Sequence, residues 1–174
     1  MEEKDPKFRR DEVQLVVFQL GKERFGLDIM CVKEIIKLPP ITRLPHAPAF
    51  VDGVMNLRGE VIPVINLRKR LQMGDRPVTT RDTRIIVGEL DHVRVGLTVD
   101  SVTEVLRLDA SCIVPLPDEV SGVWTAFIAG VGKVGQHLLL VLNLEELVRF
   151  GDDTPQSAEQ EQDLRQVLEA VAAS

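Results

Sequence analysis

Residues 15–38 read LVVFQLGKERFGLDIMCVKEIIKL, and residues 85–108 read IIVGELDHVRVGLTVDSVTEVLRL. The first stretch lies over the second when Gly26 is placed on Gly96, and aliphatic residues then face aliphatic residues along most of their length. The identical pairs include Arg24 and Arg94, Gly26 and Gly96, Val32 and Val102, and Glu34 and Glu104. The chain therefore contains an internal repeat, and this repeat decides how the fold is predicted.

The repeat continues after a loop, in a second register that places Gly53 on Gly130 and VINL at residues 64–67 on VLNL at residues 141–144. The first copy covers about residues 13–75 and the second about residues 82–150, with a polar Gly- and Pro-containing segment between them. A unit of this size is marginal alone, so the two copies are expected to pack against each other. Whether terminal strands cross between the copies stays open.

Short apolar runs, bounded by Gly, Pro or Asp, predict a mostly β protein. The predicted strands include 13–20, 24–29, 61–66, 84–90, 93–99 and 137–142. Two short helices are expected after Asn66 and Asn143, each asparagine acting as the N-cap and Glu146 completing a capping box. Residues 28–36 lose the alternation of a strand and predict a short helix or turn.

Composition narrows the classes of function. The 174 residues carry a net charge of −6 and only 4% aromatic residues, which argues against binding nucleic acid. No run of about 18 apolar residues is present, so no membrane insertion is expected. Cys31 and Cys112 are far apart in sequence and are interpreted as small buried hydrophobes, in keeping with a cytoplasmic protein.

No catalytic or metal-binding pattern is recognisable. His46, His92 and His137 are isolated from residues at ligand spacing, and no nucleophile elbow, phosphate loop or dinucleotide fingerprint occurs. The chain is therefore predicted to be neither an enzyme nor a holder of a cofactor or metal.

The two copies differ most where residues 56–60 read NLRGE in the first and residues 133–137 read KVGQH in the second. Arg58 has Gly135 as its counterpart. An arginine beside glycine on a β-turn is presented outward and can grip a carboxylate with two hydrogen bonds. An ion pair with Glu34 would orient Arg58, although a solvated hairpin arginine is the alternative reading.

The ends of the chain have a different character from residues 13–150. Residues 1–12 form a charged N-terminal tail, and residues 151–174 read as a linker followed by an amphipathic helix. Docking of this C-terminal helix on the chain's own β-structure and binding of a partner both stay open.

Taken together, FQLGKERFGLDIMCVKEI at residues 18–35, TRLPHAPAFVDGVMNLRGEVIPVINLR at 42–68, VGLTVDSVTEVL at 95–106 and LLLVLNLEEL at 138–147 resemble the CheW family of bacterial chemotaxis coupling proteins. The resemblance spans about residues 13–147, in the family's order. It implies two packed five-stranded SH3-like β-barrels related by the internal repeat, with short helices and, here, the C-terminal amphipathic helix.

The resemblance also implies a function and partners. A CheW-like adaptor couples the cytoplasmic tips of methyl-accepting chemoreceptors to the regulatory domain of the histidine kinase CheA, in the cytoplasm at membrane-associated receptor arrays. The positions that match the family's receptor-binding residues are Val32, Glu34, Gly53, Arg58, Val102 and Val105. The alternatives are a CheW-like scaffold of another chemosensory pathway and, from another class, a small-molecule-binding β-barrel.

Overall fold

The computed structural model describes residues 11–73, 79–120 and 122–149. The predicted C-terminal helix and all but the last two residues of the predicted N-terminal tail lie outside these ranges. Within them the protein is mostly β, as predicted, with a few short helices. The strands are β1 Glu12–Leu20, β2 Glu23–Asp28, β3 Val32–Lys37, β4 Val51–Leu57, β5 Glu60–Asn66, β6 Arg84–Leu90, β7 Val93–Val99, β8 Ser101–Asp109, β9 Ile113–Val114, β10 Ile128–Val134 and β11 His137–Leu142.

The strands form two sheets whose orders mirror each other. The six-stranded sheet has the order β8-β1-β2-β11-β10-β9, and the five-stranded sheet has the order β3-β6-β7-β5-β4. When the repeat is applied, β8, β1, β2, β11 and β10 correspond to β3, β6, β7, β5 and β4. The internal repeat is thus a repeat of sheet topology.

Neither sheet is built from one sequence copy alone. The β1–β2 hairpin of the first copy lies between β8 and β11 of the second, and the β6–β7 hairpin lies between β3 and β5 of the first. The two copies have therefore exchanged their first hairpins. Such an exchange couples the stability of each sheet to both halves of the chain.

The six-stranded sheet departs from the five strands that the resemblance implies. The extra strand, β9, pairs with β10 through Val114 and Val131. The corresponding place in the other sheet holds a single bridge between Thr42 and Val54, which does not extend into a strand. The two sheets therefore differ in the length of this strand pairing and not in its position, because the equivalent contact is made in both.

Three apolar clusters hold the described residues together. One lies within the six-stranded sheet around Leu15 and Val141, and a second lies within the five-stranded sheet around Met55 and Ile85. The third and largest draws on both sheets and includes Phe18. A sheet that surrounds a cluster of its own is curled into a barrel-like shape, and the shared cluster packs the two curled sheets together.

Residues 28–36 behave differently from the prediction. Only Ile29–Cys31 form a helical turn, which Asp28 caps, and β3 begins immediately afterwards at Val32. Exposure alternates regularly along β3, but the charged Glu34 lies on its half-buried side and Ile35 on its exposed side, so the residue types do not show the alternation that would have identified the strand. The register of β3 against β6 also shifts between Val32 and Glu34.

The predicted roles of Asn66 and Asn143 are partly confirmed, and Gly26 has a packing role. Gly26 lies in a regular stretch of β2, and a Cβ there would come within 3.1 Å of Leu139, so the glycine allows close packing. Asn66 and Asn143 cap α1 (Leu67–Arg70) and α2 (Leu144–Val148) with their side chains. The capping box is wrong in its second half, because the backbone N–H of Asn143 donates to a carbonyl of the neighbouring helical turn, Val123–Phe127.

Neither α-helix of the described residues has the length and apolar character needed to cross a bilayer.

Candidate functional site

The turn between β4 and β5 presents Arg58 to solvent. Arg58 and Gly59 both have positive φ, 51° and 87°, as a tight two-residue hairpin requires. The side chain of Asn56 accepts a hydrogen bond from the Gly59 N–H at 2.8 Å and fixes the turn. Positive φ is uncommon for an arginine, so the surrounding turn holds the residue in a conformation that projects its side chain outward.

Glu34 accepts two hydrogen bonds from Arg58, which confirms the predicted ion pair. Arg58 Nη1 donates to Glu34 Oε2 at 3.0 Å, and Nη2 donates to Oε1 at 2.7 Å. The Arg58 side chain is 68% exposed and that of Glu34 is 30% exposed. The glutamate is therefore the recessed member of the pair, and it orients an arginine that solvent or a partner can reach.

The pair has a definite charge state. Hydrogen bonds from Arg58 lower the pKa of Glu34 against a smaller opposing effect of desolvation, and the charges of Arg58 and Arg94 lower it further. The hydrogen bond to Glu34 likewise raises the pKa of Arg58. Both groups are consequently charged at neutral pH, and the surface offers a fixed, planar guanidinium.

The predicted valines lie on the outer strands of both sheets. Val32 at the start of β3 and Val102 in β8 are half-buried, and both pack against the cluster that the two sheets share. This places them at the seam between the sheets. Val105, also in β8, is 52% exposed, and its repeat counterpart Ile35 in β3 is 39% exposed. The outer strand of each sheet thus presents an exposed apolar side chain, and the two side chains occupy equivalent positions of the repeat.

Gly53 lies apart from these exposed side chains and is buried in β4. Its φ is 147°, and an added Cβ would lie 2.0 Å from the backbone oxygen of Thr42. Thr42 and Val54 exchange backbone hydrogen bonds at 2.8 Å in both directions at this point. Gly53 therefore allows the β3–β4 loop to close onto β4 and acts on the Arg58 turn only through that strand.

Arg94 belongs to the same charged region and was not predicted as a site residue. It donates to Glu60 Oε2 at 3.0 Å and to Glu89 Oε2 at 3.3 Å, and Lys33 Nζ lies 3.6 Å from Glu89. The available signals were the identity of Arg24 and Arg94 in the repeat and the place of Glu89 opposite Arg94 in the β6–β7 hairpin, whereas the contact with Glu60 becomes visible only in the structure.

One cavity of the described residues lacks the side chains of a serine or cysteine nucleophile with a histidine base. A cavity of about 500 Å³ lies between the β3–β4 loop and α1, and none of its described lining residues is Ser, Cys or His. Four of its charged groups are paired, with Arg68 bonded to Asp100 and Lys69 3.7 Å from Asp52, and Arg43 also lines it. No group of three or more metal-ligating side chains occurs among the described residues.

Comparison with known proteins identifies what this arrangement belongs to. Residues 14–151 match the family model of the CheW-like domain. The chain is 34% identical over 140 residues to the chemotaxis protein CheW of Treponema pallidum, covering 79% of this chain and 82% of that protein. It is 37% identical over 134 residues to a probable chemotaxis protein CheW of Rhizobium etli, covering 77% and 86% of the two chains.

A solved structure agrees with the sequence relatives. The crystal structure of the scaffolding protein TtCheW from Thermoanaerobacter tengcongensis superimposes with a TM-score of 0.74 at 39% identity, covering 82% of this chain and 97% of that one. With a matching family model, matching relatives and a matching fold, the chain belongs to the CheW family of non-catalytic chemotaxis scaffolding proteins.

Proposed function

We propose that this chain bridges the cytoplasmic tips of methyl-accepting chemoreceptors to the regulatory domain of the histidine kinase CheA, in the cytoplasm beneath a membrane-associated receptor array. The observation that carries the receptor side is the bidentate Glu34–Arg58 pair, which presents an oriented guanidinium on a turn where the other repeat has Gly135. A feature present in one copy of a repeated scaffold is not needed by the scaffold itself.

The receptor-binding surface of this proposal comprises Val32, Glu34, Arg58, Val102 and Val105, with Gly53 supporting it from below. A helix-in-groove partner is held by a few apolar anchors, while charged groups set its register. Val32 and Val102 supply apolar surface at the seam between the sheets, and Val105 supplies exposed apolar surface. Arg58 supplies the charge, and a carboxylate on the receptor helix is its natural complement.

The kinase side uses a different part of the surface. Family resemblance implies that the kinase's regulatory domain has a related double-barrel fold and associates with the adaptor barrel to barrel. A coupling protein needs both partners at once, so the kinase surface excludes the Arg58 turn. Removal of the Arg58 side chain should therefore separate the two binding activities.

Titration calorimetry with a purified receptor-tip fragment tests the receptor surface. The variants are Arg58→Ala, the charge-swapped double variant E34R/R58E, and Lys133→Ala as the matched control. Lys133 is an exposed cation on the equivalent hairpin of the other sheet. Arg58→Ala should weaken receptor binding about tenfold or more, as the loss of a charged anchor does, and Lys133→Ala should leave binding unchanged.

The double variant tests whether the receptor contacts Arg58 directly or depends only on the shape of the turn. It can restore an internal ion pair, but it removes the arginine from the turn, so binding should stay weak if the receptor contacts Arg58 directly. Full recovery of binding would show that the internal pair serves only the shape of the turn. Equal binding by Arg58→Ala and the parent would contradict the proposed receptor surface.

A further inference from the structure

The same arginine and glutamate positions of the repeat occur in both sheets, but their side chains have different partners in each. In the six-stranded sheet, Arg24 Nη2 donates to Glu104 Oε1 at 2.7 Å. Their repeat counterparts in the five-stranded sheet are Arg94 and Glu34, but Glu34 is bound there by Arg58. The fold can therefore bring this arginine and this glutamate together, and in one of the two sheets it does not.

Residues found in only one copy account for the difference. Arg58 supplies Glu34 with another partner. Arg94 is engaged by Glu60 and by Glu89, at 3.0 and 3.3 Å. The counterparts of these three residues in the six-stranded sheet are Gly135, His137 and Gln19. Arg58 and Glu60 of the first copy thus meet Glu89 of the second in the five-stranded sheet, and together these three residues keep Arg94 away from Glu34.

Arg94 nevertheless stays close enough to act on Glu34. Its positive charge contributes to the lowered pKa of that glutamate, after the effects of Arg58 itself. The side chain of Arg94 is 38% exposed, against 68% for Arg58. Arg58 is therefore the more accessible arginine for a partner, whereas Arg94 stays in contact with carboxylates of the protein itself.

We propose that Arg94 is a reserve partner of Glu34, which allows Arg58 to leave Glu34 and bind a carboxylate on the receptor helix. When Arg58 turns outward, Glu34 would otherwise lose its compensating charge. Arg94 then takes up the contact that Arg24 makes with Glu104 in the other sheet. Arg94 is thus a positioning residue for receptor recognition, and this part of the inference rests on the proposed function.

The first test uses the free protein and needs no receptor. NMR titration of the Glu34 carboxyl carbon is compared in the parent, in Arg58→Ala, in Arg94→Ala and in the double variant R58A/R94A. If Arg94 replaces Arg58, the pKa of Glu34 in Arg58→Ala stays below the ordinary glutamate value and returns to it only in the double variant. A return to the ordinary value in Arg58→Ala alone would overturn the reserve role.

The second test measures binding of the receptor-tip fragment. Arg94→Ala should weaken binding about three- to fivefold, the scale of a surface ion pair, and Arg94→Lys should restore part of the loss. Lys133→Ala, which removes an exposed cation from the β10–β11 hairpin of the other sheet, is the control and should have no effect. Equal affinities for the parent and Arg94→Ala would overturn the assigned role in binding.

The two tests separate this inference from the proposed function. If the parent itself does not bind the receptor fragment, the proposed function fails and with it the binding role of Arg94. The titration of Glu34 still decides whether Arg94 can replace Arg58 within the protein.

Discussion

Replacement of Arg70 by alanine should lower the free energy of unfolding more than replacement of any exposed charged residue, because Arg70 contacts both repeats. Its guanidinium carbon lies 4.2 Å from the centre of the Phe50 ring and 4.6 Å from that of Phe127. These phenylalanines are repeat counterparts. Arg70 also donates to the carbonyls of Leu147 and Glu146, at 3.0 and 3.3 Å, and to that of Arg149.

The expected loss follows from these contacts. Two cation–π contacts at a partly exposed site contribute about 0.5–1 kcal/mol each. Hydrogen bonds from a charged donor to carbonyls near the end of α2 contribute about 1.5–3 kcal/mol, favoured further by the negative end of the helix dipole. Allowing for overlap between these effects, Arg70→Ala should lower the free energy of unfolding by about 3 kcal/mol, or roughly 10 °C in melting temperature.

Differential scanning calorimetry of the parent, Arg70→Ala and Arg70→Lys measures this effect. Lysine keeps the charge but lacks the planar fork that donates to several carbonyls while stacking on a ring, so it should recover less than half of the loss. Arg43→Ala, which removes an exposed arginine of the β3–β4 loop, is the control. A melting temperature for Arg70→Ala within about 2 °C of the parent would refute the reasoning.

Three further predictions concern individual residues. Gly53→Ala should destabilise by about 2 kcal/mol or more, whereas Gly59→Ala, with no other atom within 4 Å of the new Cβ, should cost less in the same denaturation experiment. Because the pKa of Glu34 is lowered in the folded protein, its ion pair with Arg58 should persist at neutral pH and be lost as the pH falls through that lowered pKa. The loss should broaden the NMR signals of the Arg58 guanidinium. Signals that stay unchanged throughout an acid titration would contradict this prediction. Asn143→Ala should cost about 1 kcal/mol in urea unfolding and Asn143→Asp much less; equal losses would argue against the capping role.

Local sequence patterns predicted much of the secondary structure. Each strand proposed from apolar runs and turn residues is present, with ends that differ by at most one residue. The ion pair of Glu34 and Arg58 was also within reach, because a hairpin arginine missing from the other repeat invites a search for its partner. These features depend on neighbours in sequence or on comparison of the two copies.

Other features depend on long-range pairing that the sequence does not encode visibly. The two copies present equivalent strand edges, so the sequence alone cannot say which copy the β1–β2 hairpin joins. The beginning of β3 was not predicted as a strand because Glu34 lies on its half-buried side, where it is held by Arg58 of another hairpin, and Ile35 lies on its exposed side. The ion pair of Arg94 with Glu60 was missed for a related reason, since Glu60 comes near it only through the parallel pairing of β5 with β7. Glu89, in contrast, lies opposite Arg94 in the β6–β7 hairpin, so this pair was within reach of the predicted strands.

The central claim is that this protein couples a receptor to a kinase through separate surfaces, and co-sedimentation tests it most directly. Full-length CheA is mixed with vesicles that carry the chemoreceptor, with the parent protein, with Arg58→Ala, or with neither, and kinase in the pellet is measured. We predict that kinase sediments with the parent protein and not with Arg58→Ala, although that variant still binds the CheA regulatory domain in calorimetry. Sedimentation of the kinase to the same extent without the protein, or loss of kinase binding by Arg58→Ala, would contradict the account.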